Sequence, residues 1–202
     1  MPIGTNADGA DAFAYGEGSS ATVTIGGTAA ISTDGYASDG ARAYSQYGDA
    51  AIVIEGGTID TAGSYAHGAI SFAEGVNGTA AVTVSGGAIN TTGASARGTF
   101  SYTDNDGGAL TVTVTGSTTT TSGYRSAATE AVAYGVDTEV GITISGGTIS
   151  TNGNRDFGAH AYADGSNGVA TVTVNGSASI TTNGSEAWAP KPWPTAPMAA
   201  RR

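Results

Sequence analysis

The sequence predicts an all-β chain wound as a right-handed parallel β-helix, a solenoid of about six rungs of about 30 residues with three short strands in each. Three observations predict it. A phrase of alternating β-branched residues closed by glycine recurs at a spacing of about 30: TVTIGG at 22–27, IVIEGG at 52–57, VTVSGG at 82–87, VTVTG at 112–116, ITISGG at 142–147 and VTVNG at 172–176. A second phrase follows each time, ISTDG, IDTAG, INTTG, TTTSG, ISTNG and ITTNG. A third segment then opens on glycine in most repeats, as in GARAYS from Gly40 and GAHAYA from Gly158. None of these strands can close a core alone. Stacked in register, each hydrogen-bonds to its own counterpart one repeat away, and the right-handed crossover rule for parallel strands sets the expected hand.

In the first strand the period of two places Val23, Ile52, Val82, Val112, Ile142 and Val172 in one inward column, and Ile25, Ile54, Val84, Val114, Ile144 and Val174 in the next. In the second strand Ile31, Ile59, Ile89, Thr119, Ile149 and Ile180 form the apolar column. Two residues on, Thr33, Thr61, Thr91, Thr121, Thr151 and Thr182 make an unbroken threonine ladder. It precedes a turn glycine and shares the parity of the isoleucines, so it reads as a structural hydrogen-bonding corner. In the third strand the odd offsets from glycine hold only small residues, which suits a tightly packed inner wall. The second offset holds Asp11, Arg42, Ile70, Phe100, Glu130 and His160, a mixture that burial tolerates only with paired charges, so this face is expected to meet solvent. The fourth offset is an aromatic column, Phe13, Tyr44, Phe72, Tyr102 and Tyr162, interrupted by Val132. A regular strand turns these rings outward, whereas a bulge would turn them in; the pattern alone leaves both open.

Composition excludes several functions. The chain has a formal charge of −10 and a single lysine, Lys191, which argues against a nucleic-acid partner. Without cysteine there are no disulfides or thiolate metal sites. No apolar run reaches the length of a membrane span, so no membrane insertion by this segment is expected. No cofactor and no catalytic or metal residues are predicted. His67 and His160 lie in different columns and read as isolated surface histidines. Glu74, Asp104 and Asp164 align at the turn leaving the third strand, near Asp106 and Asp137, and Asx turns account for them more economically than calcium.

The repeat region is expected over residues 1–189, starting in mid-rung, followed at 190–202 by a proline-rich tail that reads as disordered or frameshifted. Four of the five prolines lie at 190, 192, 194 and 197, where a ladder strand needs amide donors.

The order of alternating Val and Thr, then GG, then Ile-x-Thr-x-Gly, then a glycine-led third strand is clearest in VTVSGGAINTTGASARGTFS from Val82 and ITISGGTISTNGNRDFGAHAYADG from Ile142. It resembles the repeats of bacterial autotransporter passenger domains over nearly all of residues 4–189. The resemblance implies a non-enzymatic segment outside the cell or on the bacterial outer surface, acting as an adhesin or rigid stalk, with cell-surface glycans or proteins as partners. If the aromatic column is exposed, its rings are the candidate ligand contacts. Two other readings are a polysaccharide-active β-helix enzyme, for which no clustered carboxylates stand out, and an ice-binding threonine array. In the latter, Thr22, Thr24, Thr111, Thr113, Thr171 and Thr173 are interrupted by Ala51, Val53, Ala81 and Gly141.

Overall fold

A computed structural model describes residues 6–187, Ala189 and the backbone of Lys191 and Pro192. Three parallel sheets run the length of a β-solenoid of about six turns. Each strand pairs with its counterparts one repeat before and after it, as the recurring phrases require.

The Val/Thr sheet begins with Ala21–Ile25 and ends with Val169–Asn175. Its register pairs Val23 with Ile52, Ile52 with Val82, and so on through Val112, Ile142 and Val172. Both predicted inward columns are buried from Val23 to Ile144, while Val172 is half-buried and Val174 exposed in the last rung. The hydroxyls of Thr22, Thr24 and Thr111 stand outward, on a face broken by the residues that interrupt it in sequence.

The Ile/Thr sheet runs from Ala30–Asp34 to Ser179–Thr182. The threonine ladder faces inward and is buried from Thr33 to Thr151, with Thr182 half-buried. Thr33 Oγ1 donates to the Ser38 carbonyl at 2.7 Å and Thr61 Oγ1 to that of Ala66 at 3.2 Å, so each spans the turn that follows it. At Thr91, Thr121 and Thr151 the buried hydroxyl has no hydrogen-bond partner, and there the threonine serves as a β-branched filler. The corner role therefore holds for the first two positions of the ladder and not for these three.

Thr119 carries the same cost in the isoleucine column. It lies in register between Ile89 and Ile149, fully buried, with Oγ1 unpartnered. Thr119→Val keeps the branched shape and removes the orphaned hydroxyl, so it should raise stability by about 1 kcal/mol. Urea denaturation measures this, and a loss of stability in the valine variant would mean that the hydroxyl is satisfied.

The third sheet, called the aromatic sheet below, includes Ala10–Ala14, Ala41–Ser45, Ala69–Ala73, Arg97–Thr103, Ala127–Ala133 and Phe157–Ala163. Its strands alternate regularly and show no bulge in register. The small residues at odd offsets are buried from the second rung onward, Ala41, Ala43, Ala69 and Ser71 among them. Small side chains let this sheet lie close to the bulkier isoleucine and valine columns opposite. Ser71 and Ser101 satisfy each other inside, Oγ to Oγ at 3.0 Å.

At the end of this sheet Lys191 and Pro192 pair with His160 and Ala161. The expectation of a disordered or frameshifted tail at residues 190 and 193–202, and the continuation of the repeat through Trp188, lie outside the described residues.

Candidate ligand-binding face

The regular alternation of the aromatic sheet decides the orientation of the rings. Phe13 is exposed, and Tyr44, Phe72, Tyr102 and Tyr162 are half-exposed on the outer face. They form a stack along the rod. Ring centroids are 5.7 Å apart for Phe13 and Tyr44, 5.7 Å for Tyr44 and Phe72, and 4.5 Å for Phe72 and Tyr102. Val132 would break the stack, but Tyr134, two residues further on, bridges it at 6.0 Å from Tyr102 and 5.9 Å from Tyr162. Tyr15 joins the stack at the other end, 5.9 Å from Phe13 and 5.8 Å from Tyr44. Neither tyrosine belongs to the column by offset; the signal that could have found them is an aromatic two residues beyond the column position.

One hydroxyl of the stack is anchored by an acid one turn away. Tyr44 Oη donates to Glu74 Oε2 at 2.6 Å, and this bond holds the phenol proton up to about pH 12. The acids at this turn bridge rungs. Asp106 Oδ1 accepts the Val136 amide of the next rung at 2.7 Å, and Asp137 Oδ1 accepts Asn167 Nδ2 at 2.8 Å. The expectation of turns closed on themselves is corrected for these two. Among the described residues no three His, Cys, Asp or Glu side chains are grouped to hold a metal ion.

The second-offset column departs from the solvent-facing reading at its last three members. Phe100 and Glu130 are buried, and His160 is largely so. Glu130 has paired charges, the one condition under which burial was tolerable. Arg97 Nε donates to its Oε2, and His160 Nδ1 lies 2.9 Å from its Oε1. Burial alone would raise the Glu130 carboxyl; the bond with His160 and the guanidinium of Arg97 outweigh it and hold the group down at about 2. Arg97 lies over the Phe100 ring at 4.6 Å and donates from Nη1 to the Ser95 carbonyl at 3.0 Å. The His160 ring stacks on Phe157 at 4.4 Å.

His67 is not a surface histidine: it is buried, and its Nδ1 accepts the Arg97 amide at 3.0 Å. Burial, with the charge of Arg97 adding to it, pushes its pKa down to about 3, so the ring stays neutral and its proton sits on Nε2. It continues a run in which one side chain per rung caps the amide at the equivalent position of the next: Asp8 Oδ1 accepts from Asp39, and Asp39 Oδ1 from His67, both at 2.7 Å. Burial raises the Asp39 carboxyl to about 7. His160 is likewise not isolated. The two histidines join one cluster through Arg97 and Glu130, which sequence columns did not connect.

Two clefts adjoin on this face and share Arg97, Glu130 and His160. The larger, about 690 Å³, is bordered by the corner residues Arg125 and Arg155. The smaller, about 280 Å³, is walled by Tyr102, Tyr134 and Tyr162 of the ring stack. No protein-family model, curated protein or solved structure matches the chain. The arrangement offers flat apolar ring faces for stacking beside a fixed set of charged groups, a combination suited to recognition.

Proposed function

We propose that this chain is a non-enzymatic passenger segment working outside a bacterial cell or at its outer surface, a rigid rod whose aromatic face adheres to glycans or proteins. The observation that carries the reading is the stack of outward rings from Phe13 to Tyr162, continuous through Tyr134. Ring faces exposed in a row along a rigid sheet present a preorganised apolar platform, which lowers the ordering cost of binding. The autotransporter-like repeat supports the extracellular setting. The enzyme reading gains little from Glu130: a carboxyl held near 2 by Arg97 and His160 is a poor proton donor.

The test is a glycan and matrix-protein array probed with the labelled full chain and with a variant carrying Tyr44→Ser, Phe72→Ser and Tyr102→Ser. The variant should lose its array signals at least tenfold, while its β-sheet circular dichroism is retained. Each lost ring pair is expected to cost about 1 kcal/mol of stability, so the comparison is made well below the melting temperature. Array signals that persist in the variant at full strength would discard the proposal.

A further inference from the structure

Three of the four arginines in the described residues, Arg97, Arg125 and Arg155, border one cleft of a chain whose net charge is −10. Arg97 is committed to the buried Glu130. The other two stand at the same corner position of successive rungs, joined by a bond from the Arg125 amide to the Asn154 carbonyl at 3.0 Å. Both have left-handed backbones, φ 56° and 60°. The corner holds Asn6, Ala37, Tyr65 and Ser95 in the earlier rungs with the same left-handed geometry, so the fold does not require arginine there.

Two like charges on neighbouring rungs, whose backbones lie about 4.8 Å apart, oppose the stacking that brings them together. Glu186 offsets one of them, with Arg155 Nε donating to its Oε2 at 2.5 Å between two well-exposed side chains. Arg125 is exposed and makes no ion pair with any described residue. The cleft thus has an uncompensated cation. It also opens beside the rings: Arg97, Glu130 and His160 form its common wall with the cavity lined by Tyr102, Tyr134 and Tyr162.

The geometry points to an anionic glycan as the ligand, its carboxylate or sulfate held by Arg125 at the corner next to Arg155, whose own donors reach Glu186 and Tyr124, and its adjoining sugar faces seated on Tyr102, Tyr134 and Tyr162. Planar guanidinium forks match either anion, and the rings supply the apolar half of a sugar's surface. The acids elsewhere on the rod are screened beyond about 8 Å at physiological ionic strength, so the local cationic field governs the cleft. This deepens the adhesive reading above and rests on it for the ring contacts.

The experiment is titration calorimetry of the full chain at physiological salt with polygalacturonate (carboxylate), heparin (sulfate) and fully methyl-esterified polygalacturonate (neutral). At least one anionic polymer should bind about tenfold or more tighter than the neutral ester, and which one does so identifies the anion. Arg125→Asn should weaken that binding about fivefold or more with the melting temperature unchanged or raised, since asparagine accepts a left-handed backbone more readily. A merely structural arginine would lower the melting temperature instead.

Equal binding of ester and acid would overturn the anion site and leave the ring face standing. Anionic binding lost in Arg125→Asn but kept in a variant carrying Tyr102→Ser, Tyr134→Ser and Tyr162→Ser would keep the anion site and remove the ring contacts. No binding of either anionic polymer, or unchanged binding in Arg125→Asn, would overturn the inference. So would a single-stranded oligonucleotide that binds more tightly than both glycans.

Discussion

Replacing Arg97 with methionine should remove about 3–5 kcal/mol of folding stability, because it strands a buried carboxylate beside a single remaining partner. Glu130 is 7 % exposed, and Arg97 and His160 are its two charged or chargeable neighbours. Methionine keeps an apolar stem of similar length but also gives up the guanidinium contact with Phe100 and the bond to the Ser95 carbonyl, so the part of the loss due to Glu130 is read from the second substitution. Adding Glu130→Gln to Arg97→Met should recover a large part of it, since a neutral amide needs no counter-ion. The pH dependence gives a separate check. In the native chain the Glu130 carboxyl sits at about 2 against an ordinary 4.5, so its contribution is complete above 4.5 and is lost as pH falls toward 2. Without Arg97 the folded pKa rises, and the penalty of the variant shrinks as the solution is acidified through that range. Urea denaturation of the three proteins at pH 7 and pH 3.5 decides it. A deficit below about 1 kcal/mol at pH 7 would mean that Glu130 reaches water.

Gly93→Ala should be as damaging through sterics alone. At this corner, glycine recurs at 35, 63, 93, 123, 153 and 184 because the turns of successive rungs almost touch. A Cβ on Gly93 would lie 1.6 Å from the Gly63 carbonyl oxygen and 2.2 Å from its carbon, both backbone atoms held by sheet pairing on either side. We expect a loss of about 3 kcal/mol or more, at the upper end of overpacking effects, or failure to accumulate folded protein. Gly116→Ala is the control. That glycine has a left-handed φ of 66°, but nothing lies within 4 Å of the place its methyl group would occupy, so the variant should lose only about 1 kcal/mol of backbone preference. Comparable melting temperatures for the two variants would show that the rungs can spread at Gly93.

The sheets and their register were legible in the sequence because every rung repeats the same physical constraint. Val23, Ile52 and Val82 must share a parity to share a core, and the glycines count the turns. The orientation of the aromatic column was not legible, since one inserted residue reverses a strand's faces and no residue type excludes such a bulge; the regular pairing from Ala41 to Ser45 settles it. The bridging of Val132 by Tyr134 was hidden because that tyrosine sits outside the strand's alternation, where a side chain can lean across one rung. The Arg97, Glu130 and His160 cluster was the largest miss. Its members stand at three different rungs and at two offsets, so no local motif contains them. The warning was chemical: an acid, an arginine, a histidine and a phenylalanine in one column imply that some of them are covered and paired. His67 followed the same logic, a polar residue at a position where each rung caps the next amide.

Because each rung pairs only with its neighbours, the rod has a defined mechanical character. A pull applied to one end loads one rung interface at a time rather than the whole assembly. Each rung that peels away would release about 30 residues, roughly 100 Å of contour, before the next interface bears the force. The weakest interfaces yield first, and the rungs tied by Arg97, Glu130 and His160 form a natural stopping point. Such a tether lengthens in steps under tension and dissipates work while its remaining rungs stay folded.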